Sequence, residues 1–128
     1  LKLKIISVTL KLCTILIMSF FYIIMGLKHL FDHEYFLPMM PKAIPQHKLL
    51  IYISGVCEII LGCSLLLPSL RIYAAYGIMI LLTLIFPANI YVSINNIARK
   101  QMKISRSGSI IRLFFQPVLI LIAYWHSF

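Results

Sequence analysis

Charged side chains are scarce in this sequence. They make up 12% of its 128 residues, where a soluble domain carries about 25%. Three are acidic, Asp32, Glu34 and Glu58, against twelve Lys and Arg. Cysteine is equally sparse, and Cys13, Cys57 and Cys63 form no C-x-x-C pair. On one helix Cys57 and Cys63 would stand about 9 Å apart along the axis, beyond the roughly 7 Å Cα separation that a disulfide spans. Thiol–disulfide exchange is therefore not expected, and the cysteines read as small packing residues. No nucleotide, haem or flavin motif occurs. His29 with only Glu58 near it makes a poor metal site, so no metal is expected, and any catalysis would need a partner or a bound cofactor. No internal repeat or polar domain interrupts the chain, which reads as a single domain over 1–128.

What is abundant is apolar surface. Hydrophobic residues reach 62% and mean hydropathy is +0.99, so the chain would aggregate in water and the bilayer is the expected solvent. The apolar residues form four blocks, at 5–30, 49–67, 72–94 and 110–126. Each compares with the roughly 20 residues needed to cross hydrocarbon. The first follows Lys2, Lys4 and Lys11 but is longer than a signal-peptide core and meets no small-residue cleavage site, so it reads as a retained helix. Arg112, near the start of the fourth, can snorkel to the interface. The expected fold is an all-α integral membrane protein, a bundle of four transmembrane helices.

The connections differ in kind. Pro68 to Arg71 is a short turn, so the second and third helices should form an antiparallel hairpin. The segment 31–48 holds Pro38, Pro41 and Pro45, which favour turn or extended backbone. Its aromatic and Met content, "YFLPMMPKAIP", predicts a Pro-rich segment lying on the interface. Residues 95–109, "NNIARKQMKISRSGS", read as a basic polar loop.

The formal charge of +9 is placed for lipid rather than for nucleic acid. Lys and Arg cluster beside the ends of the apolar blocks, where headgroups lie. Membrane lipids and other membrane subunits are the expected partners. One face holds Lys2, Lys4, Lys11 and Arg71; the other holds Lys28, Lys42, Lys48, Arg99, Lys100, Lys103, Arg106 and Arg112. The positive-inside rule puts the long loops in the cytoplasm and both termini on the same, outer side. Tyr73, Tyr76, Tyr124 and Trp125 would form an aromatic belt at the termini face.

Glu58 breaks the second apolar block. Gly55 and Gly62 flank it at helical spacing, with Ser54 beside them, so this face is small–Glu–small and should let another helix approach closely. Ser19, Tyr22, Gly26 and His29 share a face of the first helix. The third helix offers Asn89 and the fourth Arg112 and Gln116. Counted from the ends of the blocks, His29 and Arg112 fall near the surface, Asn89 and Gln116 about 9 Å in, and Glu58 about 14 Å in. Pro87 and Pro117 each remove a backbone hydrogen bond, and as kinks they would free the carbonyls of Thr83 and Leu113 toward the same region. For Asn89 or Gln116 alone, inter-helix hydrogen bonding worth about 0.6 kcal/mol is the simpler account. A buried ionisable group is far more costly, so the cluster around Glu58 reads as a ligand-binding polar pocket open to the long-loop face. His33, His47 and His126 read as interfacial polar residues.

Several runs, "GLKHLF", "MMPKAIP", "SGVCEIILGCSLLLP", "IFPANIY" and "RLFFQP", resemble the DoxX-like family of small four-helix bacterial membrane proteins. The resemblance covers Gly26 to Pro117 and rests most on Gly26 with His29, Pro41 and Pro45, Gly55 with Glu58, Pro68, the Phe86-Pro87-Ala88-Asn89 run and Gln116. The basic loop after Asn95 departs from the family's shorter, less charged connection. The family takes its name from a subunit associated with a terminal quinol oxidase, and most members have no assigned reaction. The resemblance implies a multi-pass protein of the bacterial inner membrane tied to a respiratory or redox complex. The leading expectation is an accessory or quinone/lipid-binding subunit, with no intrinsic cofactor but a bound quinone or lipid. A structural or assembly subunit of a larger complex is the alternative, and a small transporter or proton path the third.

Overall fold

The computed structural model describes residues 1–40 and 45–127. Pro41 and Lys42, both used above, lie outside the described residues. Four long helices follow the four apolar blocks: α1 (Lys2–Phe31), α3 (His47–Leu65), α4 (Arg71–Ile94) and α6 (Arg106–His126). All four are long and apolar enough to cross a membrane. Their outward faces carry exposed Ile17, Phe20, Ile24, Ile80, Leu84, Phe114 and Leu121, an apolar surface that lipid, not water, would solvate. The chain is an all-α four-span membrane bundle.

Residues 32–40 and 95–105 hold more helix than their composition suggests. After Asp32 the chain forms a single helical turn, α2 (His33–Phe36), and a 3-10 turn, Leu37–Met39, in which Pro38 occupies the first turn. A proline is tolerated there because its missing N–H has no partner to lose. The basic stretch after Asn95 contains α5 (Asn96–Met102). Asn95 Oδ1 caps it by accepting the Ala98 N–H at 2.8 Å. Ser105 caps α6 in the same way, accepting the Gly108 N–H at 3.0 Å, so the fourth span starts at Arg106 rather than at 110. Arg99 is buried rather than interfacial. Its guanidinium donates to the Val92 carbonyl at 3.0 Å, to the Ser93 carbonyl and to Asn96 Oδ1, satisfying the carbonyls that the end of α4 leaves without helical partners.

Inside the bundle, α1 packs on α3, α3 on α4, and α4 on α6. One apolar core lies toward the termini and includes Ile15, Tyr22, Leu65, Ile78, Leu82 and Leu119. A second lies under the long connections and joins Phe36 and Met39 to Ile51, Val92 and Met102. The short elements thus cover the end of the bundle.

The tightest contact is between α1 and α3. A Cβ on Gly26 would lie 2.6 Å from the Gly55 carbonyl oxygen, and one on Gly55 would lie 2.8 Å from that of Gly26. At Gly62 a Cβ would meet the Ser19 carbonyl at 3.0 Å. Backbone meets backbone along this seam, beside the side chains of Ile59, His29 and Ile23, so a side chain giving way would not by itself make room. Gly55→Leu should therefore separate the helices and cost about 1–3 kcal/mol by overpacking. Thermal unfolding of the purified protein in detergent measures this, with Val56→Leu on the exposed side of α3 expected to unfold like the parent.

Candidate functional site

The glycine seam fixes the level at which α1 meets α3. Gly55 lies against the Cβ of His29, so α1 ends roughly two turns inside the point where α3 begins. Glu58 is one turn further along α3. His29 Nδ1 comes within 3.3 Å of Glu58 Oε2, and both side chains are nearly buried. Counting depth from the ends of the apolar blocks separates these residues by about 14 Å. The structure overturns that separation because the two helices are not flush: the segment after α1 folds over its end and lets α3 extend past it.

A hydrogen bond to the backbone decides how the pair is wired. His29 Nδ1 lies 2.6 Å from the Met25 carbonyl, which can only accept, so Nδ1 carries a proton and donates it there. Glu58 Oε2 consequently has no hydrogen-bond partner among the described residues, although it is buried, and Ser19 Oγ is in the same condition. Tyr22, 3% exposed, lies within electrostatic range of Glu58. The His29 ring stacks on Phe36, with centroids 4.0 Å apart. Arg112, within electrostatic range of His29, reaches the Sδ of Met39 at 3.8 Å. The long-loop side of the site is thus covered by Phe36 and Met39, rather than open as the sequence implied.

Asn89 and Gln116 form a separate group. Asn89 Nδ2 donates to Gln116 Oε1, and Gln116 Nε2 donates to the Leu82 carbonyl. These bonds tie α4 to α6, which is the inter-helix role that the sequence left as the simpler account. Pro87 and Pro117 lie within α4 and α6 but are exposed on the outer side. A carbonyl four residues earlier shares the proline's face, so Thr83 and Leu113 present their freed carbonyls away from Glu58, not toward it.

Three features escaped the sequence reading. The stacking of Phe36 on His29 and the cover of Met39 over Arg112 depend on the fold of residues 32–40. His126, expected at the interface, is 2% exposed and bonds to Thr14. Arg99 carried a detectable signal, since Asn95 four residues before it is a favoured helix cap. Cys13 and Cys63 are exposed and Cys57 half-buried, all three as free thiols. No group of three or more His, Cys, Asp or Glu able to hold a metal ion occurs among the described residues.

Residues 18–127 match the family model described as a domain of unknown function, DUF8561. The chain belongs to the DUF8561 family. No curated protein and no solved structure matches it. The DUF8561 span contains His29, Glu58, Asn89, Arg112 and Gln116, together with the whole glycine seam. It takes in both the polar groups and the contact that assembles them.

If Asn89 and Gln116 act as an inter-helix clasp, a double-mutant cycle of Asn89→Ala and Gln116→Ala should give a coupling of about 0.6–1.7 kcal/mol in unfolding free energy. Denaturant-driven unfolding in mixed micelles reads this directly. A coupling near zero would remove the clasp.

Proposed function

We propose that this protein is an accessory subunit of membrane redox chemistry that holds a quinone or a lipid at the His29–Glu58 junction. The observation that carries the reading is the buried Glu58 Oε2. It has no hydrogen-bond partner while the nearest nitrogen directs its proton elsewhere. A buried polar atom of this kind costs about 1–3 kcal/mol, and an ionisable one within a membrane span points to function by default. A ligand hydroxyl or a protonated headgroup oxygen would meet it.

The residues around it suit a flat, polar-headed, apolar-tailed molecule. Phe36 offers an aromatic face beside His29, Met39 is deformable, and Arg112 supplies a cation that meets the weak thioether acceptor of Met39. His29 and Arg112 would meet the headgroup, and Glu58 would hold or exchange a proton with it. A bound quinone would supply two-electron redox chemistry. Asn89 and Gln116, bonded to each other and to Leu82, belong to the scaffold rather than to the ligand.

The resemblance to the DoxX-like family supports this reading, and with it the bacterial inner membrane as location and other membrane subunits as partners. The charge count supports termini outside the cytoplasm, even with Arg99 committed to capping α4. A second reading, a structural or assembly subunit, is favoured by the Asn89–Gln116 clasp, since interhelical amide bonds need no ligand. A proton path, the third, would use Glu58 alone.

Substitutions at Glu58 separate these readings. A photoreactive quinone with an isoprenoid tail should label the peptides carrying Met25–Phe31 and Ile51–Ile59 in the parent. Glu58→Gln keeps the shape and should retain partial labelling; Glu58→Leu should lose it while the helical signal persists. Labelling unchanged in Glu58→Leu would refute ligand anchoring. A structural role instead predicts that Glu58→Gln behaves as the parent and Glu58→Leu loses stability.

A further inference from the structure

At the opposite end of the bundle a second polar group gathers where the first and last spans approach. The Thr14 hydroxyl donates to the Lys11 carbonyl at 2.8 Å. It therefore accepts from His126 Nε2 at 2.9 Å, and this bond ties α6 to α1. Arg71, the first residue of α4, donates Nε to the Leu65 carbonyl at 2.9 Å. That bond anchors the guanidinium and leaves Nη1 and Nη2 for another acceptor.

Lys11, Arg71 and His126 line one cleft of about 370 Å³, floored in part by Ile15. Leu12 and Ile72, also in its lining, are about half exposed, so the cleft runs into the surface that faces acyl chains. This end of the bundle carries Lys2, Lys4, Lys11 and Arg71, whereas Asp32 and Glu34 lie at the opposite end and Glu58 in the middle of its span. A cleft at headgroup level with cations from two helices and an apolar flank matches one chemistry: an anionic oxygen group attached to hydrocarbon. The Arg fork fits a phosphate by two parallel hydrogen bonds, and Lys serves as a point charge.

We propose that this cleft binds the phosphate of an acidic phospholipid, with an acyl chain along Leu12 and Ile72. The site shares no residue with the His29–Glu58 junction and stands whether or not that junction takes a ligand. Bound there, the lipid would bridge α1 and α4, which the α1–α3 seam does not join at this end.

Spin-labelled phosphatidylglycerol and phosphatidylcholine, added to the full chain in vesicles, test the assignment. The parent should retain phosphatidylglycerol preferentially, and Lys11→Gln with Arg71→Gln should reduce that preference by roughly tenfold or more. Lys100→Gln with Lys103→Gln, at the other end, should leave it unchanged. A preference that survives the first pair, or disappears with the second, would overturn the proposal. Should the first pair fail to fold, a photoreactive phosphatidylglycerol on the parent still decides the matter. Adducts on residues 8–15 or 68–72 support the site, and adducts confined to 96–106 refute it. Free phosphate at matched ionic strength should stabilise the parent less than phosphatidylglycerol does; equal stabilisation would contradict the lipid assignment.

Discussion

Backbone contact between α1 and α3 is the constraint on which the rest of the arrangement depends. Lipid chains are as apolar as Leu, so helices in a bilayer gain little from hiding apolar side chains and associate through close packing and hydrogen bonds. Here the packing is carried by Gly26 against Gly55, with Gly62 against the backbone of Ser19. That contact sets the register, and the register brings His29 on one helix beside Glu58 on the other. It also puts Ser19 and Tyr22 in the same seam as the carboxyl group. Larger residues at these glycines would remove the reason for the two polar side chains to meet.

The second pair of spans solves a different problem. Between α4 and α6 the fold uses an amide clasp, Asn89 to Gln116 to the Leu82 carbonyl. The two devices lie between two apolar cores, one near the termini and one under the short helices. Polar groups that satisfy one another hold the bundle. Glu58 Oε2, left unsatisfied, differs from them in kind. That contrast separates an amide that ties two helices from a carboxyl left without a partner more sharply than composition or spacing does.

Several parts of this were legible from residues alone. Hydropathy found the four spans because solvation by lipid demands long uninterrupted apolar runs. The small–Glu–small face of α3 and the Gly26–His29 face of α1 followed from helical periodicity. Depth did not follow, because counting from block ends assumes flush helices, and α3 rises past the end of α1. The direction of the carbonyls freed by Pro87 and Pro117 depends on the rotational position of each helix in the bundle, which residue spacing alone does not specify. Arg99 looked like one more interfacial cation, yet it terminates α4. The cover of Phe36 and Met39 over the site depends on residues 32–40 folding onto the helices beneath them, a tertiary effect that local propensity does not encode.

What emerges is a small membrane scaffold that holds one carboxyl group away from water, beside a histidine whose Nδ1 proton is committed to a carbonyl and beneath an aromatic ring. The central claim is that a molecule with a polar head and an apolar tail completes this junction. Native mass spectrometry of protein extracted gently from its own membrane, with the released molecule identified by extraction, addresses it most directly. The parent should carry one such molecule per chain, absent from Glu58→Leu and retained by Asn89→Ala. A parent that is empty, or a Glu58→Leu variant carrying the same molecule at the same occupancy, would contradict the account.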